Sequence, residues 1–418
     1  MDYLRYNDIL YFETPAWRGL ITSYTEYHPD QQCVTNTLAK LKIDQAITSI
    51  ADVIASAEDW DIFFRSTPCL PFKLKGVAME GHLAGGRLLA GSTSSIYLTS
   101  GDFGFDGLRT DGPALAQDDE SQYGKVLTID IFTGETDIVS AGLRNMQGIA
   151  RMSDGRLYIV EHGMRGGDEL NLLREGANFG WPFATYGTLY SKQPLSGSTM
   201  IGRHDRDEPP IFSWLPSVAV SSLAVIEGFH EAWDGDLLVG TLKDASLYRL
   251  RLESGRVVYA ERINIGSRIR YVLQHTDGRI VLWTDNLELI FLEGFELRDA
   301  EELFDEYLQT LDLDKQSKAQ VKAAILSCTE CHSFSSNDHQ GAPGLSRIYG
   351  ERIASTPFTG YSDALLRRGG RWTEENLQAF LTNPNSFAPG TVMPAQGLEN
   401  PLLVKEIVVY LHHLDSQH

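Results

Sequence analysis

Cysteines, long apolar runs and basic side chains are all scarce in this sequence. Its 418 residues include four Cys, and 36 Lys and Arg stand against 56 Asp and Glu, for a formal net charge of -20. This excess of negative charge disfavours nucleic acid and anionic membrane surfaces as partners and favours neutral or cationic ones. No apolar run is long enough to span a bilayer, so membrane insertion is not expected. The length suffices for two or more domains with sizeable cores.

Two of the four cysteines lie in the segment Cys328-Thr329-Glu330-Cys331-His332. At this spacing each thiol can form a thioether with a haem vinyl group, and the adjoining His332 can ligate the iron. The alternatives are a redox dithiol or half of a zinc site, but the immediate His and the scarcity of other cysteines count against both. The motif therefore predicts a covalently bound haem c.

A haem of this kind usually has a second axial ligand, and Met393 is the candidate. It is the only Met after the CxxCH motif, and it lies in a loop between two segments of helical apolar spacing, 373–381 and 401–414. Because Pro394 biases Met393 away from helix, we expect the sulfur on extended chain that can reach into a cleft. A thioether ligand would raise the reduction potential of the iron.

From the CxxCH motif onward the chain resembles class I cytochrome c. The segment Gly341-Ala342-Pro343-Gly344-Leu345 stands where that family has the Pro whose carbonyl accepts the N–H of the proximal His. The resemblance implies a hydrogen bond between His332 and Pro343. It also implies that Tyr361 and Trp372 direct their polar atoms to a haem propionate.

The remaining cysteines, Cys33 and Cys69, could be a disulfide or two buried thiols, and the sequence does not decide between them. The first residues, Met1 to Tyr6, lack the charged and apolar regions of a signal peptide. Thioether attachment of haem in bacteria takes place outside the cytoplasmic membrane. Either export information is lost from the start of the chain, or the motif is never loaded with haem. We favour the first, and expect a periplasmic or secreted protein.

Between residues 8 and 293 the sequence consists of short apolar runs of period two, separated by Gly, Asp and Ser. Runs such as 95–99, 126–131, 155–160, 235–240 and 278–283 each follow or contain a turn signal. Recurring antiparallel units of this size predict a β-propeller, in preference to a β-sandwich. Residues 299–326 change to charged, Ala- and Leu-rich sequence of helical spacing. We therefore place a domain boundary near residue 297, with a propeller over 1–297 and an all-α cytochrome c domain with a helical linker over 298–418.

Unusual polar residues are densest in Gly142–Gly148, Glu161–Asn171 and Gly180–Pro182. Turn-rich segments that follow strands are where a rigid β scaffold presents a polar ligand site. With Ser213–Ser217, Leu242-Lys243 and Ser267–Arg270, these segments resemble the soluble glucose and aldose sugar dehydrogenases, over about residues 19–293. Members of that family are six-bladed propellers that bind pyrroloquinoline quinone (PQQ) with calcium and oxidise the C1 hydroxyl of sugars.

The resemblance implies a set of site residues. PQQ is a planar tricarboxylate, so its site needs cationic side chains and an aromatic face. The implied PQQ contacts and pocket residues are Arg144, Asn145, Gln147, Asp168, Trp214, Ser217, Lys243, Arg268 and Arg270. Gly163 and Met164 would offer backbone carbonyls to calcium, an ion that prefers oxygen ligands.

Sugar oxidation needs a base that takes the hydroxyl proton while hydride leaves carbon. His82 matches the family's base and Asp102 matches the acid that orients it, while Arg144 and Arg270 would stabilise charge on the quinone oxygens. Two departures from the family concern this expectation. One extra residue stands between His82 and the Gly86-Arg87 pair, and the family's first blade has no counterpart before the strand that contains Gly19.

The sequence thus predicts a PQQ-dependent aldose sugar dehydrogenase fused to a cytochrome c, with a small-molecule sugar as substrate. A downstream cytochrome, copper protein or oxidase would accept the electrons. Two alternatives stay open. One is an electron-transfer protein whose propeller is a non-catalytic binding module, and the other is a dehydrogenase of a sugar-derived aldehyde of the sorbosone type.

Overall fold

The computed structural model describes residues 5–73, 81–110, 112–195, 197, 200–293, 300–334, 342–356, 358–393 and 397–416. The chain divides into two compact units, 1–294 and 295–418. The boundary predicted at residue 297 lies outside the described residues, so the division proposed from the sequence stays a prediction. Within those residues no helix has the length and apolar character needed to cross a membrane.

The first unit consists almost entirely of antiparallel β-strands. In chain order the strands are β1 (Arg5–Glu13), β2 (Arg18–His28), β3 (Cys33–Lys42), β4 (Asp61–Arg65), β5 (Leu70–Pro71), β6 (Gly85–Ala90), β7 (Ser95–Ser100), β8 (Lys125–Asp130), β9 (Thr136–Ala141), β10 (Met146–Arg151), β11 (Leu157–Glu161), β12 (Asp168–Leu172), β13 (Ala177–Asn178), β14 (Ala184–Thr185), β15 (Met200–Ile201), β16 (Phe212–Trp214), β17 (Val220–Val225), β18 (Leu237–Thr241), β19 (Ser246–Glu253), β20 (Arg256–Asn264), β21 (Ile269–Gln274), β22 (Ile280–Thr284) and β23 (Leu289–Leu292). Short 3₁₀ helices occupy Ile50–Asp52, Ala57–Asp59, Leu115–Gln117 and Glu231–Trp233. The strands predicted from period-two runs are confirmed.

Five sheets within the described residues form the blades of a propeller. Their strand orders are β1-β2-β3-β4 with β5 beside β3, β6-β7-β8-β9-β13, β10-β11-β12-β16, β17-β18-β19-β20 and β21-β22-β23. The short pair β14-β15 stands apart from them. The predicted β-propeller is therefore confirmed, in preference to a sandwich.

The blades pack through the apolar faces of their strands. In the second blade, Ile96 and Leu98 of β7 lie opposite Ile129 and Leu127 of β8, and all four are fully buried. They form one core with residues of the first blade, including Ile21. Successive side chains of a strand point to opposite faces of the sheet, so each blade has two faces that neighbouring blades can cover.

Asp-Gly turns join the first and second strands of the third, fourth and fifth blades. Gly155, Gly235 and Gly278 have φ values of +86°, +78° and +92°, a region that residues with a Cβ rarely adopt. The repeated turn fixes where each inner strand ends, and so sets a common level for the blades.

The second unit is helical. Its helices are α1 (Ala300–Thr310), α2 (Lys315–Thr329), α3 (Asp363–Arg368), α4 (Glu374–Thr382), α5 (Pro384–Phe387) and α6 (Pro401–Ser416). The segments of helical spacing at 373–381 and 401–414 coincide with α4 and α6. The helical linker predicted over 299–326 comprises two helices, α1 and α2. The second begins after Asp314, whose side chain caps its N-terminus by accepting the N–H groups of Gln316 and Ser317.

Cys33 and Cys69 form a disulfide between β3 and the segment before β5. Their Cα atoms are 5.6 Å apart, because β3 and β5 pair through Cys33–Pro71 and Val34–Leu70. The structure thus settles a pairing that the sequence left open.

Candidate active site

The predicted site residues lie at one end of the propeller. The first strand of a blade is called its inner strand. Backbone pairing places the first residue of the inner strand opposite the last residue of the second strand, as in Met146–Glu161 and Val220–Thr241. Gly85–Ser100 and Ile269–Thr284 repeat this arrangement in the second and fifth blades. Loops that precede inner strands therefore meet loops that follow second strands. These loops carry His82, Asp102, Arg144, Asn145, Gly163, Met164, Ser217, Lys243 and Arg268, while Gln147 and Arg270 are the second residues of their strands.

Arg144 is the most deeply buried cation of the group, with 3% of its surface exposed. Its Nη1 donates to the carbonyls of His162 and Gly163 at 3.1 and 2.6 Å, and its guanidinium lies over the ring of Trp181. Its Nε is buried with no hydrogen-bond partner in the described parts of the chain. Such a donor is costly unless a ligand or water accepts it.

Asp168, at the start of β12, joins the loop of Gly163 to the loop of Ser217. Its Oδ1 accepts the Gly163 N–H at 3.0 Å and the Ser217 hydroxyl at 2.7 Å. Its Oδ2 accepts the N–H groups of Val218 and Ala219 at 2.9 and 2.6 Å. Asp168 thereby fixes the loop that holds Ser217.

Lys243 extends this cluster toward the fourth blade. Its Nζ donates to the Ser217 carbonyl at 3.0 Å. Trp214, at the end of β16, is buried in the core between the third and fourth blades, edge-on to Phe212 and Tyr248. Met164 is buried beside Trp181 and Leu195.

Arg268 and Arg270 share one carboxylate. Nε of Arg268 donates to Asp285 at 2.5 Å, and Nε of Arg270 donates to the other oxygen of the same carboxylate. About half of each arginine side chain is exposed. The guanidinium of Arg270 also lies near His162, where it and burial both lower the pKa of that imidazole, burial being the larger cause.

The sequence did not single out Glu161 and Glu169 as functional residues. They face each other across β11 and β12, and both are buried. Burial raises the pKa of Glu161 to about 7, although the N–H groups of Arg144 and Asn145 stabilise the charged carboxylate and so lower the pKa. Burial, followed by the charge of Glu161, raises the pKa of Glu169 well above its usual value.

His82 contacts Arg5, a residue that sequence reasoning also missed. Nη1 of Arg5 lies 2.8 Å from Nδ1 of His82. Since a guanidinium can only donate, Nδ1 is the unprotonated nitrogen, and the neutral ring carries its proton on Nε2. Burial and then the charge of Arg5 lower the pKa of His82, which keeps the imidazole neutral at pH 7.

Asp102 is fully buried between the second and third blades. Its carboxyl accepts the indole N–H of Trp181 at 2.7 Å and the Gly104 N–H at 2.8 Å. Burial raises its pKa, and the charge of Arg144 opposes the rise. These contacts place Asp102 beside Arg144 and Trp181, and its predicted role in orienting His82 stays a prediction.

A cavity of about 1630 Å³ lies between the first and fifth sheets and extends to this end of the propeller. His82, Asn145, Gln147 and Arg270 line it together with His162. Asn145 is held in place by the Gly85 N–H and by the side-chain amide of Gln147, both of which donate to its Oδ1. Four of the predicted site residues therefore line one cavity. Arg144, Asp168, Ser217 and Lys243 are not among its lining residues, but they are linked to one another through Gly163 and Ser217, and Arg144 adjoins Asn145 in the chain.

These residues fit a polyanionic, planar ligand. Arg270 and the side-chain amides of Asn145 and Gln147 line the cavity, and Arg144, next to Asn145 in the chain, has a buried Nε with no partner among the described residues. The fit to calcium is poorer, because the Gly163 carbonyl already accepts the guanidinium of Arg144. Within the described residues, no three His, Cys, Asp or Glu side chains gather as a metal site.

The helical unit brings its predicted haem residues to one apolar core. Nδ1–H of His332 donates to the Pro343 carbonyl at 2.7 Å, as the resemblance implied, which leaves Nε2 available for iron. Cys328, Tyr361 and Met393 pack against the cluster that contains Trp372, and Cys331 is exposed. The loop residues Gly341 and Pro394 lie outside the described part of the chain. The hydroxyl of Tyr361 bonds Thr356 at 2.6 Å, so its propionate contact stays a prediction.

A propeller with a cation-lined cavity at one end, and a helical unit with a CxxCH histidine held by a carbonyl, together define a sugar dehydrogenase-like protein with a cytochrome c-like part. Residues 12–291 match the family model described as Glucose / Sorbosone dehydrogenase, and the chain belongs to that family.

Individual relatives agree with this assignment. Aldose sugar dehydrogenase YliI of Escherichia coli (strain K12) is 30% identical over 256 residues, which cover 56% of this chain and 64% of that protein. A crystal structure of glucose dehydrogenase matches with a TM-score of 0.57 and 27% identity, over 69% of this chain and 83% of the other. The chain spans less than two thirds of the length of the curated relatives that its propeller matches.

The C-terminal part belongs to the cytochrome c family. Cytochrome c2 iso-2 of Magnetospirillum molischianum is 31% identical over 96 residues, which cover 99% of that protein and 23% of this chain. The chain is thus an oxidoreductase-family propeller joined to a cytochrome c.

Proposed function

We propose that this protein is a PQQ-dependent aldose sugar dehydrogenase that oxidises the C1 hydroxyl of its substrate and passes the electrons to a covalently bound haem c. The observation that carries the proposal is one cavity that His82, Asn145, Gln147 and Arg270 line, with Arg144 adjoining Asn145 in the chain and Lys243 bonded to the carbonyl of Ser217. A guanidinium and side-chain amides beside a neutral imidazole suit an anionic cofactor and a hydroxyl proton.

The residues would act as follows. PQQ, when bound, supplies the two-electron acceptor. Arg144, Asn145, Gln147, Ser217, Lys243, Arg268 and Arg270 would hold it. His82 would take the hydroxyl proton on Nδ1 once Arg5 has withdrawn from that nitrogen. Arg144 and Arg270 would stabilise negative charge that develops on the acceptor.

Haem c would be held by Cys328, Cys331, His332 and Met393, and would deliver electrons singly to a downstream cytochrome, copper protein or oxidase. Carrying both groups on one chain raises their effective concentration. Calcium at Gly163 and Met164 would require Arg144 to release the Gly163 carbonyl. No step above depends on calcium.

The experiment is reconstitution of the purified holo-cytochrome with PQQ and Ca²⁺, followed by addition of an aldose. We expect the haem absorbance to change to that of the reduced form, and a Cys328→Ser/Cys331→Ser variant to reduce an artificial dye without haem reduction. Arg144→Met should abolish both activities. Arg151→Met, at the opposite end of β10 and solvent-exposed, is the matched control and should retain them.

A haem that only an external reductant can reduce would contradict the proposal and support the non-catalytic propeller. Product analysis separates the remaining alternative. An aldonic acid or lactone formed from the aldose supports C1 oxidation, whereas turnover restricted to a sugar-derived aldehyde supports the sorbosone type.

We further propose that the propeller is of the six-bladed type, with the family's first blade absent from the five described sheets. In support, the face of the last described sheet that points away from its neighbour exposes Tyr271, Leu273 and Trp283, and β1 exposes Tyr6 and Ile9. These residues form the two walls of the cavity. Apolar faces of this kind are normally covered by another blade. Mass spectrometry of the protein isolated from its native source would show whether a further sheet-forming segment precedes Met1.

A periplasmic or secreted location is part of the proposal. The Cys33–Cys69 disulfide suits an oxidising compartment, as does thioether attachment of haem. Cell fractionation tests it: recovery of the haem-stained protein only with cytoplasmic markers would contradict it.

A further inference from the structure

The side chain of Glu161 lies directly behind the cavity wall, at the end of β11. It is 4% exposed, and its residue pairs with Met146 on one side and Glu169 on the other. Nothing in the proposed chemistry uses it. A buried carboxylate with no such use needs another reason for its desolvation cost.

The contacts of Glu161 converge on the backbone of two proposed cofactor contacts. Its Oε2 accepts the Arg144 N–H at 2.7 Å, and the Asn145 N–H stabilises the charged form of the same carboxylate, which lowers its pKa. Two consecutive N–H groups on one carboxylate fix the peptide planes on both sides of Arg144. The direction in which Arg144 leaves the backbone is therefore set by Glu161.

A third donor holds the carboxylate itself. Nδ2 of Asn171 donates to Oε1 of Glu161 at 3.0 Å, and Asn171 is fully buried on β12. The carboxylate is thus anchored to the neighbouring strand. Glu161 therefore links β12 to the turn that precedes β10.

The carbonyls of Arg144 and Asn145 have other partners, since they accept the N–H groups of Asp102 and His162 at 2.8 and 3.1 Å, so Glu161 supplies the acceptor on the N–H side of the turn. The turn begins at Gly142, with φ of +71°, where a Cβ would lie 2.0 Å from Oδ1 of Asn178. Loss of the Glu161 carboxylate would leave the N–H groups of Arg144 and Asn145 without their acceptor in a buried site. The turn would then relax, and Arg144 and Asn145 would move with it.

We propose that Glu161 is a positioning residue, which aims Arg144 and Asn145 at the cofactor cavity by holding their backbone N–H groups. This inference rests on the proposed function, since it assigns those two residues to a bound polyanionic quinone.

The test compares Glu161→Met with Glu161→Gln in the full-length holo-cytochrome. Met fills the volume but accepts no hydrogen bond. Gln keeps one oxygen for both N–H groups. Its NH₂ can donate to Oδ1 of Asn171 once the amide of Asn171 turns over, because Nδ2 of Asn171 faces Glu161 in the wild type. Asp236→Asn is the matched control, because Asp236 is a buried carboxylate at the opposite end of the propeller, paired with Arg249 and Arg251.

Two readouts do not depend on turnover. The first is PQQ affinity, from quenching of tryptophan fluorescence. We expect Glu161→Met to raise the Kd about 10- to 100-fold, by analogy with the range found when the hydrogen-bond partners of metal ligands are lost. Glu161→Gln and Asp236→Asn should stay within about threefold of wild type, a spread small beside the loss expected for Met.

The second readout is amide hydrogen exchange of the segment 143–147 in protein without PQQ. Exchange should accelerate in Glu161→Met but not in Glu161→Gln or Asp236→Asn. If Glu161→Met does not fold, Glu161→Asp replaces it, since a carboxylate one methylene shorter cannot reach both N–H groups and should show the same two changes to a smaller degree.

The outcomes separate the two proposals. Wild-type protein that binds no PQQ overturns the proposed function, and with it the role of Glu161 toward the cofactor. Wild-type protein that binds PQQ, together with a folded Glu161→Met variant that binds it equally well, overturns only the positioning role. Equal loss of affinity in Asp236→Asn would also overturn it, because general destabilisation would then account for the effect.

Discussion

Asp168→Asn should destabilise the propeller although it leaves the volume of the side chain almost unchanged. The carboxylate of Asp168 accepts four hydrogen bonds, two on each oxygen. If Asn keeps its oxygen toward Val218 and Ala219, its NH₂ faces the Ser217 hydroxyl and the Gly163 N–H. The hydroxyl can turn and accept, but the N–H cannot.

The magnitude follows from these contacts. One buried N–H without a partner costs about 1–3 kcal/mol, and two bonds that lose a charged acceptor weaken by about 1 kcal/mol together. We expect a loss of about 3 kcal/mol in the free energy of unfolding, or about 6–12 °C in Tm for a domain of this size. PQQ binding should weaken as well, because the loop of Ser217 loses its anchor.

The assay is urea denaturation followed by tryptophan fluorescence, with haem absorbance recorded separately for the cytochrome part. Asp277→Asn is the control, since Asp277 is an exposed carboxylate paired with Arg279 at the other end of the fifth blade, and surface pairs contribute about 0–1 kcal/mol. An Asp168→Asn variant within about 0.5 kcal/mol of wild type, the size of an ordinary surface substitution, would refute the reasoning.

Three further predictions concern separate parts of the chain. Because burial and Arg5 lower the pKa of His82 in the folded protein, activity should persist below pH 6.5 before protonation of the base ends it. Arg5→Met should raise that pKa and move the acid limb of the kcat/KM profile to higher pH. An acid limb that does not move would contradict the contact. Reduction of the Cys33–Cys69 disulfide, which spans 36 residues, should lower the free energy of unfolding by about 4 kcal/mol, measured with and without dithiothreitol; equal stability in both would count against it. Met393→Ala should lower the haem reduction potential in a spectroelectrochemical titration, whereas an unchanged potential would remove Met393 as an iron ligand.

The fold followed from local signals that repeat. Period-two runs such as 126–131 and the Asp-Gly turn at Gly278 are short-range features, so strands and turns could be predicted one by one. Helix α6 was equally accessible from its apolar spacing. The pairing of Cys33 with Cys69 was not, since it depends on β5 lying beside β3, a long-range contact that neither segment encodes alone.

The residues of the site also fall into two groups, those that the sequence could indicate and those that it could not. Residues that the family resemblance names lie at one end of the propeller, and His82, Asn145, Gln147 and Arg270 among them line one cavity. The resemblance could not give the Arg5–His82 contact, which joins residues 77 positions apart. Glu161 was visible only as part of a polar run, because its role depends on which N–H groups its carboxylate reaches in the folded chain.

The buried site residues and the site residues that line the cavity differ in how firmly they are held, and this difference has a consequence for ligand binding. Arg144, Asp168 and Ser217 are almost fully buried and bonded to one another's loops, so moving any of them would leave buried polar groups without partners. Arg270 and His82 are held by partly exposed contacts to Asp285 and Arg5, which exchange for water or ligand at little cost. Binding should therefore leave the contacts of the buried residues unchanged and replace those of the residues that line the cavity. A polyanionic cofactor would compete with Asp285 for Arg270, and a hydroxyl substrate would compete with Arg5 for the lone pair of His82.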